Sequence, residues 1–369
     1  MMASEVENYH SIPIPSRSIH SWRYTPWRKI HPTGNVKEIP SDVLPATISL
    51  SMFDGSDVPE GIRLELSKIE VQSRQPTQDI AEAFHRVICP EYWTLKVDDS
   101  TVLSSPLMVE VKASGHVAAS NISVEIGNFS EIQIIWSFTG EASWFGLRRC
   151  GEVGVGAKYC EVVEQSLSSS SIFLRGENWS LGKDASMYSG LLSLGGLLVR
   201  SDLRSKIERG STIKKMIASH GKGERVDDHH LEVAHPVGEN NSVVILHSAC
   251  DDSSRSISTG MLTIEKGADG SDASQIFRNL LLSPKAKAES IPELEVLADD
   301  VSAAHGAASA PIDSEQMFYL QSRGLEQQEA EHLVVEGFLI DAMQELDAPG
   351  LVDWLRTRLT IHLDCALLD

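Results

Sequence analysis

The sequence is short of cysteine, of basic charge and of long apolar runs, and each shortage excludes something. Its five cysteines, Cys89, Cys150, Cys160, Cys250 and Cys365, are odd in number and contain no CxxC pair, so no disulfide framework is expected. Only 32 Lys+Arg stand against 52 Asp+Glu, a formal charge of −20. A protein that tracks phosphates needs a basic face, so no nucleic-acid partner is expected. The most apolar stretch, Ser189 to Arg200, falls well short of the ~20 residues that span a bilayer. The opening residues MMASEVENYH have neither the basic patch nor the apolar core of a secretory signal. A cytoplasmic protein with no membrane partner is the resulting expectation.

Composition is otherwise that of a globular chain. Hydrophobic residues make up 41% and charged residues 23% of 369 positions, too many for one small core. The first forty residues form an irregular or helical arm, in which Ser18 to Ile30 (SIHSWRYTPWRKI) crowds aromatic and basic side chains into a local anchor. Gln78 to Val87 has helical spacing, with Ile80, Phe84 and Val87 on one face, and Cys89-Pro90 ends it.

From Trp93 to Val301 the pattern changes to short β-prone runs, among them LMVEVKA, ISVEIG, IQIIWSF, SVVILHS and MLTIEKG. Such a series without helices between its first members makes a sandwich, a barrel or a solenoid. Most connections lack a hairpin signature, which favours the solenoid, while the lack of an exact repeat leaves the sandwich open. Ser201 to Ile217 is locally basic and reads as a helix or a decorated loop. Arg204, Lys214 and Lys215 on it are expected to form a solvated face or to meet an acidic partner.

After Ala310 the pattern is helical. Asp313 to Gln316 has the form of a capping box, with Asp313 accepting from the Gln316 amide, and Gly324 suits the left-handed stop. A second helix is expected from about Glu326 to Leu346, with Ala330, Leu333, Val334, Phe338 and Met343 on its stripe. A third starts near Pro349 with Leu351, Leu355, Leu359 and Leu363 in register, and Cys365 is expected to be packed in its last turn.

Asp227, Asp228, His229, His230, His235 and His247 are the densest set of metal-ligating types. On a strand His229 and His230 point to opposite faces, and the set lacks HExxH spacing and thiols, so an internal polar ladder is the better account. Gly151 to Gly156, between Cys150 and Cys160, lacks the GK[ST] of a phosphate loop and reads as turns.

The segment Asp299 to Phe338 (DDVSAAHGAASAPIDSEQMFYLQSRGLEQQEAEHLVVEGF) resembles the C-terminal signature of the SufB/SufD family of the SUF iron–sulfur cluster assembly system, most closely the SufD type. Arg278 to Ser283, Pro292 to Glu295, Asp228-His229-His230, His235-Pro236 and Trp22 to Thr25 are also similar to that family. The resemblance implies a mainly β chain with a right-handed parallel β-helix core over 93–310, a mixed helical arm over 1–92, and a C-terminal helical domain over 311–369. It further implies a scaffold that is not an enzyme, pairing with a SufB-like subunit (or with itself as a homodimer) and binding a SufC-like ATPase. His305 matches the family's interface histidine and is the candidate metal ligand, since an imidazole suits borderline iron. Phe318, Tyr319, Arg323, Gly324 and Phe338 mark the expected docking region for the ATPase.

Ala303 stands where some SufD chains have a cysteine, and Pro284 to Ala288 holds no thiol. No stable cluster is therefore expected on this chain alone, only a transient one in the complex. The competing reading is a polysaccharide-acting β-solenoid enzyme, but no convincing pair of carboxylates presents itself, Asp299 and Asp300 diverging on a strand.

Overall fold

Ten-residue runs with apolar residues at alternate positions form strands that bury one face, and in this chain the strands stack in parallel. The computed structural model describes residues 2–68 and 77–365. The N-terminal part holds helices α1 (Met2–Ser11) and α2 (Trp27–Ile30), strands β1 (Val43–Pro45), β2 (Thr47–Met52) and β3 (Ile62–Lys68), and helix α3 (Ile80–Ile88). One sheet then contains β4 (Glu91–Val97), β6 (Val117–Ile126), β8 (Trp144–Val153), β10 (Ile172–Leu181), β12 (Leu198–Ile207), β14 (Val226–His235), β16 (Arg255–Ile264) and β18 (Lys287–Val296). The other contains β5 (Leu107–Ala113), β7 (Glu131–Gly140), β9 (Lys158–Leu167), β11 (Ser186–Ser193), β13 (Thr212–Gly221), β15 (Asn241–Cys250), β17 (Asp272–Leu281) and β19 (Ser302–Pro311). Helices α4 (Ser314–Ser322), α5 (Gln327–Asp341) and α6 (Pro349–Cys365) follow.

Strands alternate between the two sheets, so the chain is a parallel β-solenoid of about eight turns. Val117, Trp144, Ile172, Leu198, Val226, Arg255 and Lys287 share one register, stepping by 27, 28, 26, 28, 29 and 32 residues. Unequal coil lengths are why no exact repeat is visible in the sequence. The shared interior holds Leu107, Phe138, Phe145, Tyr159, Phe173, Ile213, Leu246, Leu262 and Phe277. Gly140 is required at its turn: φ is +122°, and a Cβ there would lie 1.9 Å from the Ala113 carbonyl oxygen.

Both outer faces are also covered, which explains why the middle strands read as nearly continuous buried runs. The N-terminal arm lays Tyr9, Trp22, Trp27, Ile30 and Phe84 against Trp144 and Leu174, and the Trp144 Nε1–H donates to the Ile30 carbonyl at 2.6 Å. Asp79 caps α3 by accepting from the Ala81 and Glu82 amides. On the opposite face α5 and α6 set Val335, Leu339, Leu351, Leu355, Leu359 and Leu363 against Ile135, Val162, Leu192, Met216 and Ile245. Among the described residues no helix is long and apolar enough to cross a membrane.

Several local expectations are corrected. Ser201 to Ile217 is neither a helix nor one loop but runs from β12 through a turn at 208–211 into β13. Lys215 is buried in the interior, Lys214 pairs with Glu345 at 2.7 Å, and Arg204 pairs with Asp79 and Glu232, so the three form no solvated face. Asp313 accepts from the Glu315 amide at 2.9 Å instead of the Gln316 amide. Helix α5 ends at Asp341, and its buried stripe is Ala330, Val335, Leu339 and Ile340, with Leu333 turned to solvent. Apolar residues crowd around that helix, so contact with β15 and α6 selects the buried face where periodicity alone does not. Cys365 is exposed.

Candidate functional site

Among the described residues, the solenoid ends in strands whose outer edges carry no partner. In each sheet the last strand, β18 or β19, pairs on one side only among the described residues. Strand β19 reads SAAHGAASAP and nearly all of it is exposed. Small residues leave its backbone accessible, and it carries none of the charges that usually guard an edge strand. His305 is exposed on it, in register with Gln275 of β17. The Asn279 amide ties this last coil together by donating to Ser290 Oγ at 2.9 Å and to Ser309 Oγ at 3.0 Å. Val296 and Leu297, at the end of β18, are exposed apolar residues beside the same edge.

A second uncovered surface follows directly. Helix α4 has no buried residue, so it does not pack its length on the body. Phe318 is 74% and Tyr319 55% exposed, and the Arg323 guanidinium stands 5.1 Å from the Tyr319 ring centre. Gly324, at φ +100°, ends the helix in the left-handed region, as its position in the sequence predicts. Phe338 does not join this group. It lies half-buried on α5, stacked on His247 at 4.8 Å, and the His247 Nδ1–H donates to the Phe338 carbonyl at 2.8 Å. Phe318, Tyr319, Arg323 and Gly324 therefore form one patch, while Phe338 anchors α5 to the solenoid.

The acidic and histidine-rich set is spread by strand alternation, as expected. Asp227, His229 and His235 take the inner positions of β14, and Asp228 and His230 the outer ones. Asp228 accepts from Arg200 at 3.0 Å, His230 pairs with Glu232 at 2.7 Å, and His235 bonds Asn240 at 2.6 Å and Ser242 at 2.8 Å. Among the described residues no three His, Cys, Asp or Glu side chains come together as metal ligands. Burial pushes the thiols of Cys89, Cys160 and Cys250 up to about 11, 12 and 12, which keeps them protonated and poor ligands.

Sequence reasoning missed an ionic cluster sealed inside the solenoid. Arg149 donates to both Glu161 oxygens at 2.7 and 2.8 Å and to Glu177 at 2.9 Å, and its guanidinium stands 4.9 Å from the Trp136 ring and 5.2 Å from the Trp179 ring. Arg175 donates to Glu177 at 2.8 Å, and the Tyr159 and Ser189 hydroxyls donate to Glu161. Burial pushes Glu177 upward, but Arg149 and Arg175 outweigh it and hold the carboxyl far below its ordinary range. Burial brings the Lys215 ammonium down to about 8, against the pull of Glu177 and Glu161. Charged residues at alternate strand positions look like a solvent face in sequence, so only stacking of the coils reveals them as interior.

A family model described as SUF system FeS cluster assembly, SufBD core domain, matches residues 109–338. The iron–sulfur cluster assembly protein SufD of Escherichia coli is 25% identical over 376 residues, covering 94% of this chain and 88% of that one. A SufBD family iron–sulfur cluster assembly protein of Mycobacterium tuberculosis is 25% identical over 366 residues, covering 95% and 89%. The SufD of Bacillus subtilis is 37% identical over 131 residues, which is 36% of this chain and 30% of that protein.

Proposed function

The chain belongs to the SufBD family of iron–sulfur cluster assembly proteins, and from that premise we propose that it is a SufD-like scaffold subunit with two docking surfaces and no catalytic centre of its own. The observation that carries this reading is the open end of the solenoid. Strands β18 and β19 offer unpaired backbone donors and acceptors on which a SufB-like subunit, or a second copy of this chain, extends both sheets. Helix α4 offers the second surface, where Phe318, Tyr319 and Arg323 dock a SufC-like ATPase. Aromatic and Arg side chains on an exposed helix are the usual anchors of such contacts. The sequence carries no GK[ST] phosphate-loop motif, so this reading assigns nucleotide turnover to the ATPase.

His305 lies on β19 at the edge that the SufB-like subunit would cover, and it supplies one nitrogen to iron held as cargo. The buried thiols of this chain do not reach that edge as thiolates, so a cluster there is transient and takes its sulfur ligands from the partner. The cytoplasm, where thiols stay reduced, is the compartment this chemistry needs.

Co-expression with the SufB-like and SufC-like chains of the same organism, followed by affinity capture, tests the reading. Wild type should retain both chains in stoichiometric amounts. The Phe318→Ala/Tyr319→Ala variant should lose the ATPase and keep the SufB-like subunit. Removal of α5 and α6 is not a suitable control, because it uncovers the apolar outer face of β9, β11, β13 and β15. A chain that captures neither partner while all three are folded would sink the proposal.

A further inference from the structure

In a chain of formal charge −20, no acidic residue stands between Glu7 and Glu38, while Arg17, Arg23, Arg28, Lys29 and Lys37 all fall there. The N-terminal arm is a basic island. Lys37 is occupied, donating to the His10 and Ile12 carbonyls at 3.0 and 3.3 Å. Arg17, Arg23, Arg28 and Lys29 are exposed, and none has a hydrogen bond or ion pair among the described residues. Packing explains why. Trp22, Trp27 and Ile30 turn inward, Trp22 standing edge to face on Trp27 at 5.8 Å and 4.2 Å over the Arg200 guanidinium of β12. The cations that alternate with them are left facing solvent, and Ile14 and Ile19 of the same arm are 46% and 49% exposed.

The sheet that carries the arm also carries its complement. An open groove of about 740 Å³ lies over the ends of β4, β6, β8 and β10 and the turns after them. Lys96, Glu125, Glu152 and Ser180 stand in register across it, and Asp98 and Asp99 also line it. Asp98 pairs with Arg63 at 2.8 Å and Glu125 with Lys96 at 3.8 Å, while Asp99 accepts from the Asn128 backbone and side-chain amides at 2.7 and 3.2 Å. Glu152 is exposed and has no ion pair among the described residues. Four carboxylates against one ammonium make the groove acidic, and Val155, 41% exposed, gives it an apolar wall.

The two features lie at opposite ends of the same strands. Trp144, under the arm, and Glu152, in the groove, are eight residues apart on β8, roughly 26 Å at 3.3 Å per residue. A two-fold axis along the solenoid and between two such faces reverses the strand direction of one copy against the other. It keeps each copy's coils level, so the arm over β8, β10 and β12 of one copy meets the groove over β4 to β10 of the other. The contact is then made twice, as a closed two-fold interface requires.

We propose that a second copy of this chain seats its arm in this groove, with Arg17, Arg23, Arg28 and Lys29 against Asp99 and Glu152, and with Ile14 and Ile19 against Val155. The chain's overall negative charge does not forbid this, because charges farther apart than about 8–10 Å are screened at physiological ionic strength and the local signs decide. An extended membrane surface or nucleic acid, by contrast, would also meet the acidic remainder of the face. The contact leaves β18 and β19 free and does not rest on the scaffold reading.

Sedimentation velocity of the full chain from about 1 to 200 µM, in about 50 and 500 mM NaCl, tests it. A monomer–dimer equilibrium is expected that weakens at the higher salt. Arg23→Glu/Arg28→Glu and, separately, Glu152→Lys should each weaken it about tenfold or more, since every substitution occurs twice across the interface and turns attraction into repulsion. The three substitutions together should associate more tightly than either parent variant, because the charges are exchanged and not lost. All three positions are exposed, so an unchanged urea midpoint shows that the fold is kept. A chain that stays monomeric at about 200 µM and low salt overturns the proposal and leaves the arm to an acidic segment of another protein. A dimer that survives both sets of reversals is paired through β18 and β19 and overturns it equally.

Discussion

Arg149→Met should destabilise the chain by about 3 kcal/mol, at the lower end of the 3–5 kcal/mol that follows loss of one partner from a buried ion pair. Arg149, Glu161 and Glu177 are all completely or almost completely removed from solvent. Glu177 keeps Arg175 in the variant, so its charge remains paired. Glu161 is the group left exposed to the penalty. It retains the Tyr159 and Ser189 hydroxyls at 2.6 and 2.7 Å but loses its bidentate countercharge. The nearby Lys215 ammonium offsets part of that loss, which is why the lower figure applies. The companion variant Arg149→Met/Glu161→Met removes the orphaned carboxylate and should recover at least about 2 kcal/mol, because a buried pair replaced by apolar groups is often neutral. Urea unfolding followed by tryptophan fluorescence measures both, since Trp136 and Trp179 stand 4.9 and 5.2 Å from the guanidinium. The reasoning fails if the single variant loses less than about 1 kcal/mol, or if the double variant is no more stable than the single one.

Stability should also depend on pH, because burial holds His31, His85, His220, His229 and His362 at about 4, 3, 3, 4 and 4 against an ordinary 6.5. The unfolded chain then binds more protons between about pH 6.5 and 4, so stability present above 6.5 is lost as pH falls, by up to about 7 kcal/mol per unit for the five together near pH 5. A urea midpoint that stays level from pH 7 to pH 5 contradicts this. Leu355→Ala, which empties a fully buried position between α6 and the sheet, should cost about 2–5 kcal/mol in the same assay; a loss under about 1 kcal/mol would mean that the helix is not held there. His305→Ala should leave the urea midpoint within about 0.5 kcal/mol of wild type while lowering cluster output in cells. Unchanged output would remove His305 from the mechanism.

How much was legible in the sequence follows from the range of the interactions involved. Local signals were sound: Ile80, Phe84 and Val87 share the buried face of α3, Gly324 stops α4, and Leu351, Leu355, Leu359 and Leu363 form the buried stripe of α6. The β-prone runs and the absence of hairpin turns pointed to a solenoid, because period-2 alternation and turn chemistry are written within a few residues. The family signature from Asp299 to Phe338 located His305 and the α4 aromatics, and both turned out to be exposed.

What alternation alone could not supply was the identity of the face. Arg149, Glu161, Glu177 and Lys215 have the spacing of surface charges, yet they are buried at the centre of the solenoid, where Arg149 meets Glu177 across a 28-residue coil step and Glu161 across the two sheets. Arg204 and Lys214 look like free cations but are paired to Asp79 and Glu345, 125 and 131 positions away. The His220–His362 contact spans 142 residues. Composition, periodicity and capping therefore determined that this chain would be strand-rich and helical at its ends, and the family signature that it would resemble SufD. Burial of charge, the two uncovered strand edges and the acidic groove over the ends of β4 to β10 were decided only when the coils stacked, because each depends on side chains that share a register in space and not a neighbourhood in sequence.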